Sequence, residues 1–176
     1  MACSTICRSH PYRRLLSSCL LLSLLIACGA TVDAQNTALN KLEVQCQSET
    51  NPVQKAKLLA KLGPLEVDEA ARRIGENQDE AAMASLERFR DDVRSTADAL
   101  TAMQVNAARH PAGFKELQIG LRESLRRLGD LVLQVSSDQQ PRFEALRSDL
   151  SATQNSLIEA LFPSPKEKRG KDGKAD

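Results

Sequence analysis

Phe114-Lys115-Glu116-Leu117-Gln118-Ile119-Gly120-Leu121-Arg122-Glu123-Ser124-Leu125-Arg126-Arg127-Leu128-Gly129-Asp130-Leu131-Val132-Leu133-Gln134-Val135 repeats an apolar side chain every three or four residues, at Phe114, Leu117, Leu121, Leu125, Leu128, Val132 and Val135. That period gathers them on one face of an α-helix. A helix with such a stripe buries it only against other elements, so the rest of the chain must supply partners.

The flanks supply them. Ser136 to Pro141 ends this helix and begins another, whose stripe is Phe143, Leu146, Leu150, Leu157 and Leu161; Pro163 and Pro165 stop it. Upstream, Ala82, Leu86, Phe89, Val93, Ala97, Leu100 and Met103 form a further stripe. It predicts a helix from an Asp79 cap to about Arg109, where Arg109 and His110 would complement the helix dipole before Pro111 and Gly113 break the pattern. Asn51-Pro52 is a start signal, a capping Asn followed by Pro at the first helical position. Val53, Ala56, Leu59 and Leu62 follow on one face, Gly63-Pro64 interrupts, and Leu65, Val67, Ala70, Ala71 and Ile74 resume up to Gly75. A kink or two abutting helices is expected there. Asp68 with Arg72 and Glu69 with Arg73 stand four apart, acid first, which supports helix. Leu39, Leu42 and Cys46 share helical spacing within Asn36 to Thr50, predicting a short additional helix. The expected fold is all-α, an antiparallel bundle of about four main amphipathic helices with a short extra N-terminal helix, over residues 36–162. A tetratricopeptide-like hairpin around Leu62-Gly63 and Gly75 is the minor alternative, without a second copy of the unit to support it.

Composition agrees with helices. Aromatics make up 3% of the 176 residues, Trp is absent, and the one Tyr, Tyr12, precedes the periodic segments. The core must be built from Leu, Ala, Val, Ile and four Phe, a helix-forming set. Charge is balanced, with 24 Lys+Arg against 23 Asp+Glu. No clustered basic surface is expected, so nucleic acid is discounted as a partner. The tail 163–176 has basic residues, two Gly and no apolar face, and reads as disordered.

The N-terminus reads as an export signal. Arg8, Arg13 and Arg14 precede Leu15 to Ala27, an apolar run of 13 residues. A helix of that length rises about 20 Å, short of the roughly 30 Å hydrocarbon core of a bilayer. Two processing sites compete. Leu25-Ile26-Ala27-Cys28 resembles the lipobox of bacterial lipoproteins and would leave a lipidated Cys28 after removal of residues 1–27. Val32-Asp33-Ala34 before Gln35 suits ordinary signal peptidase and would remove residues 1–34, and this cut is preferred. The first outcome ties the protein to a membrane through a lipid anchor at Cys28; the second releases it.

The residues that carry chemistry are sparse. After a leader, His110 is the single His, and Cys46 is the single Cys unless Cys28 becomes the first residue. Zinc sites usually take three or four ligands in close array, so no metal or other cofactor is expected. His110 reads as a helix-terminal residue, and Cys46 as a buried small side chain with a free reactive thiol as the alternative. Glu76, Asp79 and Glu80 lack the spacing and turn Gly of a calcium loop and read as capping and surface residues. Asp91 and Asp92 point about 100° apart on a helix and are expected to pair with Arg88 and Arg94. Arg122, Arg126 and Arg127 read as a solvated, salt-bridged face, with Glu123 four before Arg127.

His110-Pro111-Ala112-Gly113-Phe114-Lys115-Glu116-Leu117-Gln118-Ile119, continuing to Leu131, resembles a set of uncharacterised exported helical bacterial proteins. So does Asn51-Pro52-Val53 with Ala56 and Leu59-Ala60-Lys61-Leu62-Gly63. The resemblance spans most of Asn51 to Phe162 and implies an all-helical extracytoplasmic domain; it transfers no activity and no site residue. The expectation is therefore a non-enzymatic module of the envelope or periplasm with an unidentified protein partner. An enzyme or redox protein using Cys46 or carboxylates from different helices, and a carrier of a small apolar ligand, are the alternatives.

Overall fold

The computed structural model describes residues 29–163, so the leader up to Cys28 and most of the tail lie outside the described residues. The chain divides into two compact units, Met1–Asn40 and Lys41–Asp176. Among the described residues five helices form: α1 (Gly29–Ser48), α2 (Pro52–Gly75), α3 (Asp79–Ala102), α4 (Phe114–Val132) and α5 (Gln140–Leu161). The protein is all-helical, with no strand among the described residues. Among them, no helix is long and apolar enough to cross a membrane.

α1 is longer than the expected segment, because helix already runs through Ala34 and Gln35. Asn51 caps α2 as its sequence requires: Oδ1 accepts from the Val53 and Gln54 amides at 2.9 and 3.3 Å. A single helix spans Pro52 to Gly75 through Pro64, in place of two abutting helices. Pro64 has no N–H for the Ala60 carbonyl, and the backbone of Gly120 on α4 packs against that same stretch. A Cβ on Gly120 would lie 2.6 Å from Ala60 Cβ, and one on Gly63 would run into Ser124 of α4 as well as the Phe89 ring of α3. Small residues thus let α2 and α4 approach closely along one seam, and helix packing stabilises the segment that Pro64 weakens. α2 stops in a Schellman turn. Asn77 takes φ 60, the Gln78 amide donates to Arg73 O at 2.9 Å and the Asn77 amide to Ile74 O at 3.0 Å.

Two expectations fail around α3. Asp79 is the first helical residue and not the cap; Gln78 stands at that position without a side-chain bond. The helix ends at Ala102, short of Arg109, so Arg109 and His110 complement no helix end. Leu100 is the last buried member of the stripe, Met103 is already 44% exposed, and Gln104 turns the chain with φ 55. Beyond that point a helix would have no face to bury. Asn106 organises the crossing instead, its carbonyl accepting from the Arg109 and His110 amides at 3.0 and 2.9 Å. Gly113 then adopts φ 86, and its amide donates to Glu116 Oε2 at 2.7 Å, which sets the start of α4. A Cβ there would meet Leu100 at 2.8 Å.

α2 packs on α3 and α4, and α5 on α4 and α3, so the ring order is α2, α3, α5, α4. Sequence neighbours α2/α3 and α4/α5 run antiparallel as hairpins. The lateral pairs run parallel: Ala60 meets Gly120 and Asp68 meets Arg127, while Glu80 meets Arg142 and Arg90 meets Asp149. Residues 103–113 therefore cross the end of the bundle on a diagonal. The core contains the five residues expected of the last stripe, Phe143, Leu146, Leu150, Leu157 and Leu161, all buried.

Candidate functional site

The chemistry-bearing side chains gather in one place, where residues 41–48 of α1 lie over α2 and α3. A cavity of about 40 Å³ is lined there by Glu43, Cys46, Leu62, Glu66, Arg88 and Asp92, among others. Cys46 is 2% exposed and carries a free thiol. Burial pushes that thiol up, the Asp92 carboxylate adds to the effect, and Lys55 opposes it. Cys46 is thus a buried small side chain, and a thiol kept protonated in an enclosed place is a poor nucleophile.

Glu66 is 4% exposed and faces Glu43 across the cavity. Glu66 is pushed up to about 8, by burial first and then by its hydrogen bond with Glu43 and the repulsion between the two carboxyls, while Arg88 and Arg73 pull the other way. A hydrogen bond between two carboxyls needs a protonated one to donate it, which fits the raised Glu66. Lys55 closes one side of the cluster, its Nζ 3.0 Å from Asp92 Oδ1. Sequence reasoning missed this pair. The signal was present: Glu66 lies four residues after Leu62 and four before Ala70, inside the buried stripe. Assigning that face to Leu65, which is only half-buried, hid the carboxylate.

The other singled-out residues do not converge. His110 is exposed in the 103–113 crossing and does not line the cavity. Asp91 and Asp92 serve different partners from Arg88 and Arg94: Asp91 takes its chain neighbour Arg90 on the same helix at 2.9 Å, and Asp92 takes Lys55 of α2. Glu76 binds Arg72, and Glu80 binds Arg142 at 2.7 Å across α3 and α5. Glu69 pairs with Arg73 at 2.8 Å as its spacing predicts, whereas Asp68 reaches Arg127 on α4 and not Arg72. Glu123 takes Arg127 and Arg126, and Arg126 with Arg127 holds its carboxyl down to about 2. Among the described residues, no three His, Cys, Asp or Glu side chains are arranged to hold a metal ion.

A second feature is apolar. Over the close seam of α2 and α4 runs an open groove of about 500 Å³, floored by Ala60, Pro64 and Gly120 and edged by Ile119, with Lys57 and Lys61 on one rim and Glu116 and Glu123 on the other. Ile119 is 44% exposed. Compared with family models, curated proteins and solved structures, the chain matches none.

Proposed function

We propose that this chain is an exported, non-enzymatic helical bundle that acts by binding another protein at the cell envelope or in the periplasm. The single observation that carries the binding role is the groove over the Ala60–Gly120 seam. It is an apolar trough with a basic and an acidic rim, the shape and charge pattern that receive an amphipathic helix. Export rests on the leader pattern, Arg13-Arg14 before Leu15 to Ala27, with cleavage after Ala34 or lipidation of Cys28. The set of exported helical proteins that His110 to Leu131 resembles fits the same reading. The enclosed, protonated Cys46 speaks against the redox alternative.

A photo-crosslinking residue placed at Ile119 in the native cell tests the binding role, and the mass of the mature N-terminus tests export. The expected result is a protein adduct that disappears in the Ala60→Trp variant, on a chain beginning at Gln35 or at a diacylated Cys28. A full-length chain retaining Met1, or the same adducts from Ile119 and from a control position on α5, overturns the reading. The groove favours one second reading, a small apolar ligand, since its volume lies within the usual range for such sites. Apolar ligands that raise the melting temperature of the purified protein, but not of Ala60→Trp, would support that reading.

A further inference from the structure

The Glu43–Glu66 contact joins two elements that only a short link connects. Residues 49–51 between α1 and α2 are non-helical, and Asn51 directs its side chain to the start of α2. The 41–48 segment contributes Glu43 and Cys46 to the cavity, and α2 and α3 contribute Leu62, Glu66, Arg88, Phe89 and Asp92. With the segment seated, Cys46, Leu62, Glu66 and Phe89 are all buried. The charged and titratable groups around Glu66 are Glu43 and Cys46 from α1, Arg73 from α2 itself, and Arg88 and Asp92 from α3. Asp92 is already taken by Lys55, and Arg88 and Arg73 only partly offset the burial of Glu66.

We propose that residues 41–48 form a proton-dependent latch, which seats on α2 and α3 with one proton held between Glu43 and Glu66 and lifts about the 49–51 link when that proton is lost. Lifting uncovers Cys46 and the apolar strip of Leu62 and Phe89. The balance is simple: seating takes up one proton from solvent, and release returns it. With Glu66 at about 8 in the seated state against an ordinary 4.5, the seated form binds the extra proton throughout that interval. Its population relative to the lifted form therefore falls by up to tenfold for each pH unit between those values. This inference does not depend on the proposed export or partner binding.

Amide hydrogen exchange of the full chain, read by mass spectrometry from pH 5 to 8.5 and divided by the intrinsic exchange rate at each pH, tests it. The expected result is a protection of residues 41–48 that lies below that of α4 and α5 at every pH and falls by up to tenfold per pH unit, levelling above about pH 8, while α4 and α5 stay protected by the remaining fold. Glu66→Gln, a neutral side chain of the same shape, should remove the slope and keep the segment protected at pH 8. Glu43→Gln should move the window to lower pH, because one repulsive partner is gone. Labelling of Cys46, normalised to the urea-unfolded chain at the same pH, should follow the same curve. Flat protection of 41–48 across the range, an unchanged slope in Glu66→Gln, or a protection of 41–48 equal to that of α4 and α5 at every pH would each overturn the proposal.

Discussion

At the scale of single residues, two of the buried polar groups on α2 and α3, Glu66 and Thr96, are settled in opposite ways. Glu66 finds a partner in Glu43, whereas the Thr96 hydroxyl is buried and has no hydrogen-bond partner among the described residues. A hydroxyl moved out of water without compensation costs on the order of 1–3 kcal/mol. Thr96→Val keeps the shape and removes the unmet group. It should raise stability by about 1 kcal/mol, read as a higher melting temperature with an unchanged far-UV spectrum. Ser85 and Ser124 show why Thr96 stands out: buried on the same bundle, they donate back to Ala82 O and Gly120 O at 2.9 Å. Substituting either should gain less.

At the scale of elements, the seam between α2 and α4 sets the tolerance of the fold. Gly120 has the Ala60 backbone where a side chain would go, while Gly75 has nothing within 4 Å. Gly120→Ala should therefore cost about 1–3 kcal/mol by overpacking, and Gly75→Ala should stabilise by about 0.4–1 kcal/mol. Chemical denaturation of the two variants checks both signs. Element identity was legible because each stripe repeats at helical period and nothing competes with it; α5 kept all five of its expected core residues. Boundaries were less so. The end of α3 depends on where a neighbouring helix stops offering a surface, which local pattern does not record. Pro64 ends no helix for a related reason, since the stretch it weakens is held by contact with α4, far away in sequence. The carboxyl pair stays hidden when the stripe is drawn through Leu65 and Val67, although Glu66 stands four residues from both Leu62 and Ala70 and is buried with them. The groove was illegible, as it depends on which helices are parallel neighbours.

For the whole molecule, stability against pH has two limbs of opposite cause. Glu66 is raised in the folded state, so its contribution is fully present below about 4.5 and is lost as pH climbs toward about 8. Glu69 is lowered, first by its hydrogen bond with Arg72 and then by Arg73, so its contribution is present above 4.5 and is lost on acidification. The urea midpoint should accordingly peak near pH 5 and decline on both sides. Glu66→Gln should flatten the alkaline limb and Glu69→Gln part of the acid limb; a midpoint that rises steadily to pH 8 would contradict the assignment of Glu66. The exposed pairs, Arg127 with Asp68 and Arg142 with Glu80, add little to this profile, because solvent screens them.

The diagonal crossing at 103–113 has one more consequence. Each half of the bundle is a hairpin closed by its own turn, and the crossing is the single covalent strap between them. The contacts across the seam would be the same whether the second hairpin came from the same chain or from a neighbour. A strap too short to span the diagonal would leave every interface intact and change only its ownership, turning one molecule into an interlocked pair.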